Sequence, residues 1–308
     1  MLNNSIRFVA RLRPTQPIRH FSQSRLVFQE KSSNINDFPW LVNRSPPRIA
    51  KYPYIQAPTS FGWMNILPAS IQHRLSVWLA SRTVHLNTGA SYFPEQFLLG
   101  ATFASRRALN VLSQHLNNPD DNTRNELEGM MSIELLDRFT KAGKECLTGD
   151  EEISINLPQI YDANLGDVWV TLGSSIAFTH TRQYEVLEWM TLKLCLKTSG
   201  VDVDEESFRD YRARVARGLM EGVHIRVDVE VDADVVYKIS RGDDVLLYDE
   251  GRRTLLVQFE TPYFEPAHTM ISGRDPENGE PINDWSWVIS DIDQLITKEK
   301  LDNDEIMP

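Results

Sequence analysis

Four carboxylates stand at every second position of one run: Asp228, Glu230, Asp232 and Asp234. Grouped carboxylates can move protons as an acid–base pair or grip a hard cation. On an extended strand, however, such neighbours lie about 6.7 Å apart, too far for two of them to close on one small ion without ligands from elsewhere. The spacing therefore favours a solvated sheet face, or a docking face on which four like charges attract a basic partner, over a catalytic dyad. His224 falls on the same side of that strand and extends the comparison to an enzyme with a His–Asp pair.

Other reactive patterns are missing. There is no G-x-G-x-x-G, no G-x-x-x-x-G-K-[ST], no H-E-x-x-H and no G-x-S-x-G, so a standard nucleotide loop, zinc helix or nucleophile elbow is excluded. The seven histidines show no ligand spacing, and the two cysteines, Cys146 and Cys195, have no histidine close in sequence to either. This excludes a disulfide scaffold and a cysteine-based metal motif and suits a reducing interior. Asp275 to Glu280 lacks the ligand rhythm of a calcium loop, and Arg241-Gly242-Asp243 reads as a turn. No catalytic, cofactor-binding or metal-ligating residue is assigned, and no small-molecule substrate or cofactor is expected.

The elements that must carry the carboxylate row follow from periodicity. Val223 to Ser240 alternates, with Ile225, Val227, Val229, Val231, Ala233 and Val235 on one face and the acids on the other. Ile153 to Leu157 and Asp167 to Leu172 read as further strands, Leu187 to Leu196 as one wide strand, and Thr254 to Glu260 and Trp285 to Ile292 as the last two, with Gly242 and Gly251 marking turns. Before them, Phe97 to Leu116 repeats at helical spacing, and a second helix runs from a Thr123 N-cap, with Glu126 completing a capping box, to Gly143. Glu205 to Met220 reads as a charged helix. Helices first and a mostly antiparallel sheet after them give an α+β fold with the helices on one sheet face.

Charge divides the chain. The total over 308 residues is −11, yet residues 1–37 carry +4, residues 38–94 carry +5 without one acid, and −20 remains for the body. A body of that sign does not coat nucleic acid, and no apolar run approaches the roughly 18 residues of a spanning helix. Residues 1–37 read as a mitochondrial presequence and linker, because Arg7, Arg11, Arg13 and Arg19 alternate with apolar and hydroxyl residues and no acid precedes Phe21. Arg19, Phe21 and Ser22 fit a processing site of the form arginine, any residue, aromatic, small residue.

Residues 38–94 hold seven prolines and three tryptophans, Trp40, Trp63 and Trp78. Such proline density predicts an extended tract from Phe38 to Asn65, followed by a helix over about 69–86. With Arg74, Trp78 and Arg82 but no acid, that helix suits the interface of an anionic membrane, with Trp63 nearby; packing of its Leu75, Trp78 and Leu79 face on the core is the competing reading.

In layout the chain resembles the family of the C-terminal domain of mitochondrial inner-membrane translocase subunit 44, over roughly Asn65 to Ile296. It is similar in the aromatic-bearing helix that leads into Phe97-x-x-Gly100-Ala101, in Val111-Leu-Ser-Gln114, and in the ending Trp285-Ser-Trp287-Val288-Ile289-Ser-Asp291-Ile292. The similarity is greatest to the branch that interacts with the m-AAA protease. The segments Val201–Gly222 and Pro262–Asn283 depart from the family pattern by their length. The resemblance implies a nuclear-transport-factor-2-like cone over residues 95–300, followed by an acidic tail at 301–308, used for binding and with no catalytic residues to carry over. It implies a non-enzymatic matrix adaptor, peripheral to the inner membrane, that links imported or newly made proteins to the m-AAA protease or an assembly machine. A mitoribosome component or ribosome receptor is the alternative, with nucleic acid a partner only in that case.

Overall fold

A computed structural model describes residues 67–89, 92–147, 149–175, 184–197 and 207–306. The presequence with Arg19, Phe21 and Ser22, the tract 38–65 and Trp63 lie outside the described residues.

Strand β5 (Val223–Arg241) organises the fold. Nineteen residues of strand would extend roughly 60 Å if straight, which is longer than the domain it must stay within, so the strand bends and the sheet curves with it. β1 (Glu152–Asn156) and β2 (Ile160–Leu172) follow one another along one edge of β5, and β6 (Asp244–Glu260) returns along the other through the Gly242 turn, where φ is +56°. β3 (Tyr184–Trp189) and β4 (Leu192–Lys197) extend the β2 side, and β9 (Val288–Ile292) closes the β6 side, giving the order β3-β4-β2-β5-β6-β9. Among the described strands only the β2–β4 pairing is parallel. The two short strands β7 (Gly273–Arg274) and β8 (Pro281–Ile282) form a separate ribbon. The result is a mixed α+β fold with a curved, unclosed, mostly antiparallel sheet, as the periodicity predicts.

The odd-numbered face of β5 is the core. Val227, Val229, Val231, Ala233, Val235, Tyr237 and Ile239 are all buried, each valine or isoleucine among them stabilising the fold by about 1.5–3 kcal/mol when removed from water. They meet α2 (Glu95–Asn117), whose Phe97, Ala101, Ala108, Leu109 and Leu112 make one inward stripe. Side chains of α2 also satisfy the open edge of β1: Asn117 accepts from Ile153 N at 2.7 Å, and Ser113 Oγ accepts from Ile155 N at 2.8 Å.

Five expectations are corrected. The second helix is two helices, α3 (Asp121–Glu128) and α4 (Ile133–Cys146); Thr123 lies inside the first turn of α3 and donates to Asp120 O, and Ser132 is the side-chain cap of α4. Leu187 to Leu196 is a hairpin, turning at Met190 and Thr191, because Met190 takes φ +50°. Gly251 is no turn but pairs with Val235 deep in β6, so β6 starts ten residues before Thr254. Trp285 and Trp287 precede the last strand. The tail from residue 301 belongs to α6 (Leu295–Ile306), whose start is capped by buried Asp291: its carboxylate accepts from Ile296 N and Thr297 N, each at 3.0 Å. Arg138 grips Glu299 with two bonds from its Nε, at 2.7 and 2.8 Å, fixing α6 to α4.

The remaining helices lie on the core side of β4. α1 (Ala69–Thr88) contributes Ala80 and Val84 to the hydrophobic cluster, and α5 (Phe208–Glu221), present as the charge pattern predicts, contributes Val215.

Candidate functional site

Helix α1 is amphipathic in an unusual sense. Its inward face is built of small residues: Ser76, Ala80 and Val84 are buried, and Ser76 Oγ lies 2.6 Å from Thr191 Oγ1 in the β3–β4 turn. The larger apolar residues point the other way. Ile71, Leu75, Trp78 and Arg82 recur at spacings of four, three and four, which is one face of a helix, and all are exposed, Trp78 at 59%. The Arg82 guanidinium lies 5.8 Å from the Trp78 ring centroid, and Arg74 is exposed one turn away. The helix packs on the core through Ser76, Ala80 and Val84, whereas its Leu75 and Trp78 face is exposed among the described residues. Burying Trp78 needs something outside the described residues of this chain, and leaving an indole in water forgoes a large apolar transfer term.

A cavity of about 480 Å³ opens where the end of α1 meets α2 and the β8–β9 connection. Its walls are aromatic. Phe97 packs on Phe259 at 5.7 Å and on Trp287 at 5.0 Å between ring centroids, and Trp285 packs on Trp287 at 5.4 Å. Gly100, Ala101 and Ala104 leave room on the α2 side, where a Cβ at Gly100 would meet nothing within 4 Å. The Trp285 indole is held in place by donating to Met270 O at 2.8 Å. The polar groups of the lining belong to Thr88, Tyr92, Asn283 and Ser286, and Tyr92 is the one titratable side chain among them. Burial raises its pKa against a hydrogen bond with Trp287, so it stays a neutral phenol. Such a lining suits an uncharged apolar guest and offers no group able to exchange a proton near neutral pH. Ala104→Phe is expected to fill the cavity and weaken the binding of a fluorescent apolar probe at least tenfold, read by titration.

The carboxylate row is on the predicted face of β5 but is not four free charges. Asp228 is 4% exposed and accepts from Gln258 Nε2 at 2.8 Å; burial pushes its pKa up to about 6. Asp232 is held by Arg252 at 2.5 Å and lies below the usual carboxylate range because of that hydrogen bond. Asp234 accepts from Tyr161 OH at 2.6 Å, and the Arg252 guanidinium sits 4.0 Å from the Tyr161 ring centroid. Glu230 lies between them, facing Asn164 and Leu256 in the pairing. The expectation of a uniformly solvated acid face thus fails at Asp228, where the sheet is covered on both sides.

Near the start of β5 the same face carries further ionisable groups. Lys193 pairs with Asp167 at 2.5 Å and sits 4.7 Å from the Trp169 centroid. His224 is 3.6 Å from Glu260 and stacks on Tyr263 at 5.6 Å. Cys195 is buried, with its thiol pushed up to about 11, which leaves it without a reactive thiolate at neutral pH. His224 and Asp228 do not meet: each has its own partner, and neither lines the cavity. Among the described residues no group of three His, Cys, Asp or Glu side chains converges on a metal position, and no helix is long and apolar enough to cross a membrane.

Sequence reasoning singled out Arg74, Trp78 and Arg82, which the structure leaves exposed on α1, and missed the cavity, although Phe97, Trp285 and Trp287 stood in the motifs. The missing signal is tertiary, because the lining comes from four separate segments. No protein-family model and no curated protein matches the chain.

Proposed function

We propose that this chain is a non-enzymatic adaptor of the mitochondrial matrix, peripheral to the inner membrane, that delivers imported or newly made proteins to the m-AAA protease or an assembly machine. The observation that carries the membrane part is the outward stripe of α1, with an exposed indole and flanking arginines and no acid on the helix. An indole placed at headgroup depth beside two cations is the arrangement anionic lipid selects. The aromatic cavity supplies a seat for an apolar side chain of a client, and the acidic body attracts basic precursors electrostatically. The arginine-rich first 21 residues support the location, and the layout of helices on a curved sheet supports a nuclear-transport-factor-2-like cone of the translocase-subunit-44 type.

Flotation of the full chain with vesicles containing cardiolipin tests the reading. The chain is expected to bind these and to ignore vesicles of phosphatidylcholine alone. Trp78→Ala combined with Arg82→Gln is expected to weaken binding at least 30-fold, because an interfacial ring and a cation near the surface are lost together. Its unfolding free energy, read by urea titration, is expected to stay within about 0.5 kcal/mol of the parent, since both side chains are exposed. Equal partition of parent and variant would overturn the membrane reading, and salt-resistant co-sedimentation with the large mitoribosomal subunit would replace it.

A further inference from the structure

We infer that helix α5 is a second contact for the same anionic lipid surface, so that the chain docks through two helices and in one orientation. The inference rests on the membrane reading of α1 and adds a site to it.

The sequence of α5 is arginine-rich in an otherwise acidic body: Arg209, Arg212, Arg214 and Arg217 stand against Asp210 and Glu221. Its inward side is fixed by Arg214, Val215 and Gly218, where a Cβ added to Gly218 would sit in ordinary contact with the Leu172 Cβ at 3.6 Å. At 100° per residue, the opposite side then presents Arg209, Ala213, Ala216 and Met220 along its middle, with Arg212 and Leu219 on one flank and Arg217 on the other. Burial agrees: all seven are exposed, Met220 at 70% and Leu219 at 52%. Both acids stand at the ends of the helix, and Asp210 is engaged at the N-terminus, where Ser207 Oγ donates to it at 2.6 Å and accepts from its backbone N–H. The outward face is therefore cationic with apolar tips, which is the pattern that lets arginines meet headgroups while a methionine and a leucine enter the acyl boundary.

Position joins α5 to α1. Both helices pack on β4, and both turn their inner residues, Ala80 and Val84 from one and Val215 from the other, to the same apolar cluster. Both helices thus cover the same apolar side of the sheet, and Met190, next to the Thr191 that meets Ser76 of α1, is exposed in the β3–β4 turn. Asp232 and Asp234 lie nine and eleven residues along β5 from Val223, the end at which α5 joins the strand. Two separated contacts fix the roll of the domain about the α1 axis, which one helix cannot.

The test uses the full chain and vesicles with and without cardiolipin at physiological ionic strength. Arg209→Gln with Arg217→Gln is expected to weaken binding to the anionic vesicles about 30-fold and to flatten its salt dependence, from the loss of two surface cations. Met220→Ser is expected to weaken it about threefold, and the lysine pair, Arg209→Lys with Arg217→Lys, to bind as the parent does. Unchanged urea midpoints show that the variants fold. If both α5 variants bind like the parent while the Trp78 and Arg82 variant is lost, α5 is no contact and the membrane reading stands alone. If the parent ignores vesicles but retains an RNA oligomer through Arg209 and Arg217, both readings fall.

Discussion

Asp228→Asn is expected to stabilise the protein by about 3 kcal/mol at pH 8 and by almost nothing at pH 4. Asp228 has been withdrawn from water on the polar face of β5, and Gly166 packs against it so closely that an added Cβ would lie 3.0 Å from its carbonyl oxygen and 3.1 Å from its Cβ. Its compensation is a single side-chain bond from Gln258, with Arg226 and Lys193 acting in the same direction and Asp167 against. Desolvation wins and the folded pKa rises to about 6, against about 3.9 for an unfolded aspartate. The sign follows from proton counting. Below pH 4 both states hold the proton and the group costs nothing. Between about pH 4 and 6 the unfolded chain has released it and the folded chain has not, so stability falls as pH rises. Above pH 6 the cost is complete, two units at 1.36 kcal/mol each giving about 3 kcal/mol. Asparagine keeps the acceptor for Gln258 and never ionises. Urea unfolding of parent and variant at intervals from pH 4 to pH 8 reads the difference directly; a variant less stable at pH 8 would mean that Lys193 and Arg226 require the charge more than the site resists it.

This carboxylate also marks where sequence periodicity stops informing. The alternation of β5 is visible because one face is apolar at every odd position from Val223 to Ile239, and the structure buries each of them. Whether the other face meets water is decided by what lies over it, and no local pattern separates Asp228 from Glu230. The same holds for Gly251, whose turn signal is overridden because pairing with β5 continues on both sides of it, and for the hairpin at Met190, where an unbroken apolar run hides a reversal. In α1 the arginines and tryptophan were legible, but the choice of face was not. Ser76 and Ala80 carry far less apolar surface than Leu75 and Trp78, yet small residues let a helix lie close to β4 and so take the inner position. The cavity was least legible of all, since Phe97, Phe259 and Trp287 come together only through the sheet's curvature.

Gly222→Ala is expected to cost about 3 kcal/mol or more, whereas Gly218→Ala, one turn earlier, is expected to be neutral or stabilising by up to about 1 kcal/mol. The two glycines end the same helix and differ in what their missing side chains would meet. At Gly218 the nearest atom to an added Cβ is the Leu172 Cβ at 3.6 Å, an ordinary contact, and alanine is the better helix former. At Gly222 the added carbon would run into the carbonyl oxygen of Gly173, with the Tyr263 ring at 3.0 Å and Phe264 O at 3.2 Å. None of the three can step aside cheaply. Gly173 holds φ at +115°, donates to Gly222 O at 3.0 Å and receives the Tyr263 hydroxyl at 2.6 Å, while Val223 and Phe264 exchange backbone bonds of 2.9 and 3.0 Å in the adjacent bridge. Making room at residue 222 therefore parts the end of β2 from the start of β5 and unseats α5 from the sheet. Urea midpoints of the two single variants, compared at constant slope, separate this backbone collision from any general intolerance of substitution at the helix end: equal midpoints would show that the approach of residues 173 and 222 is not needed to hold the strands together.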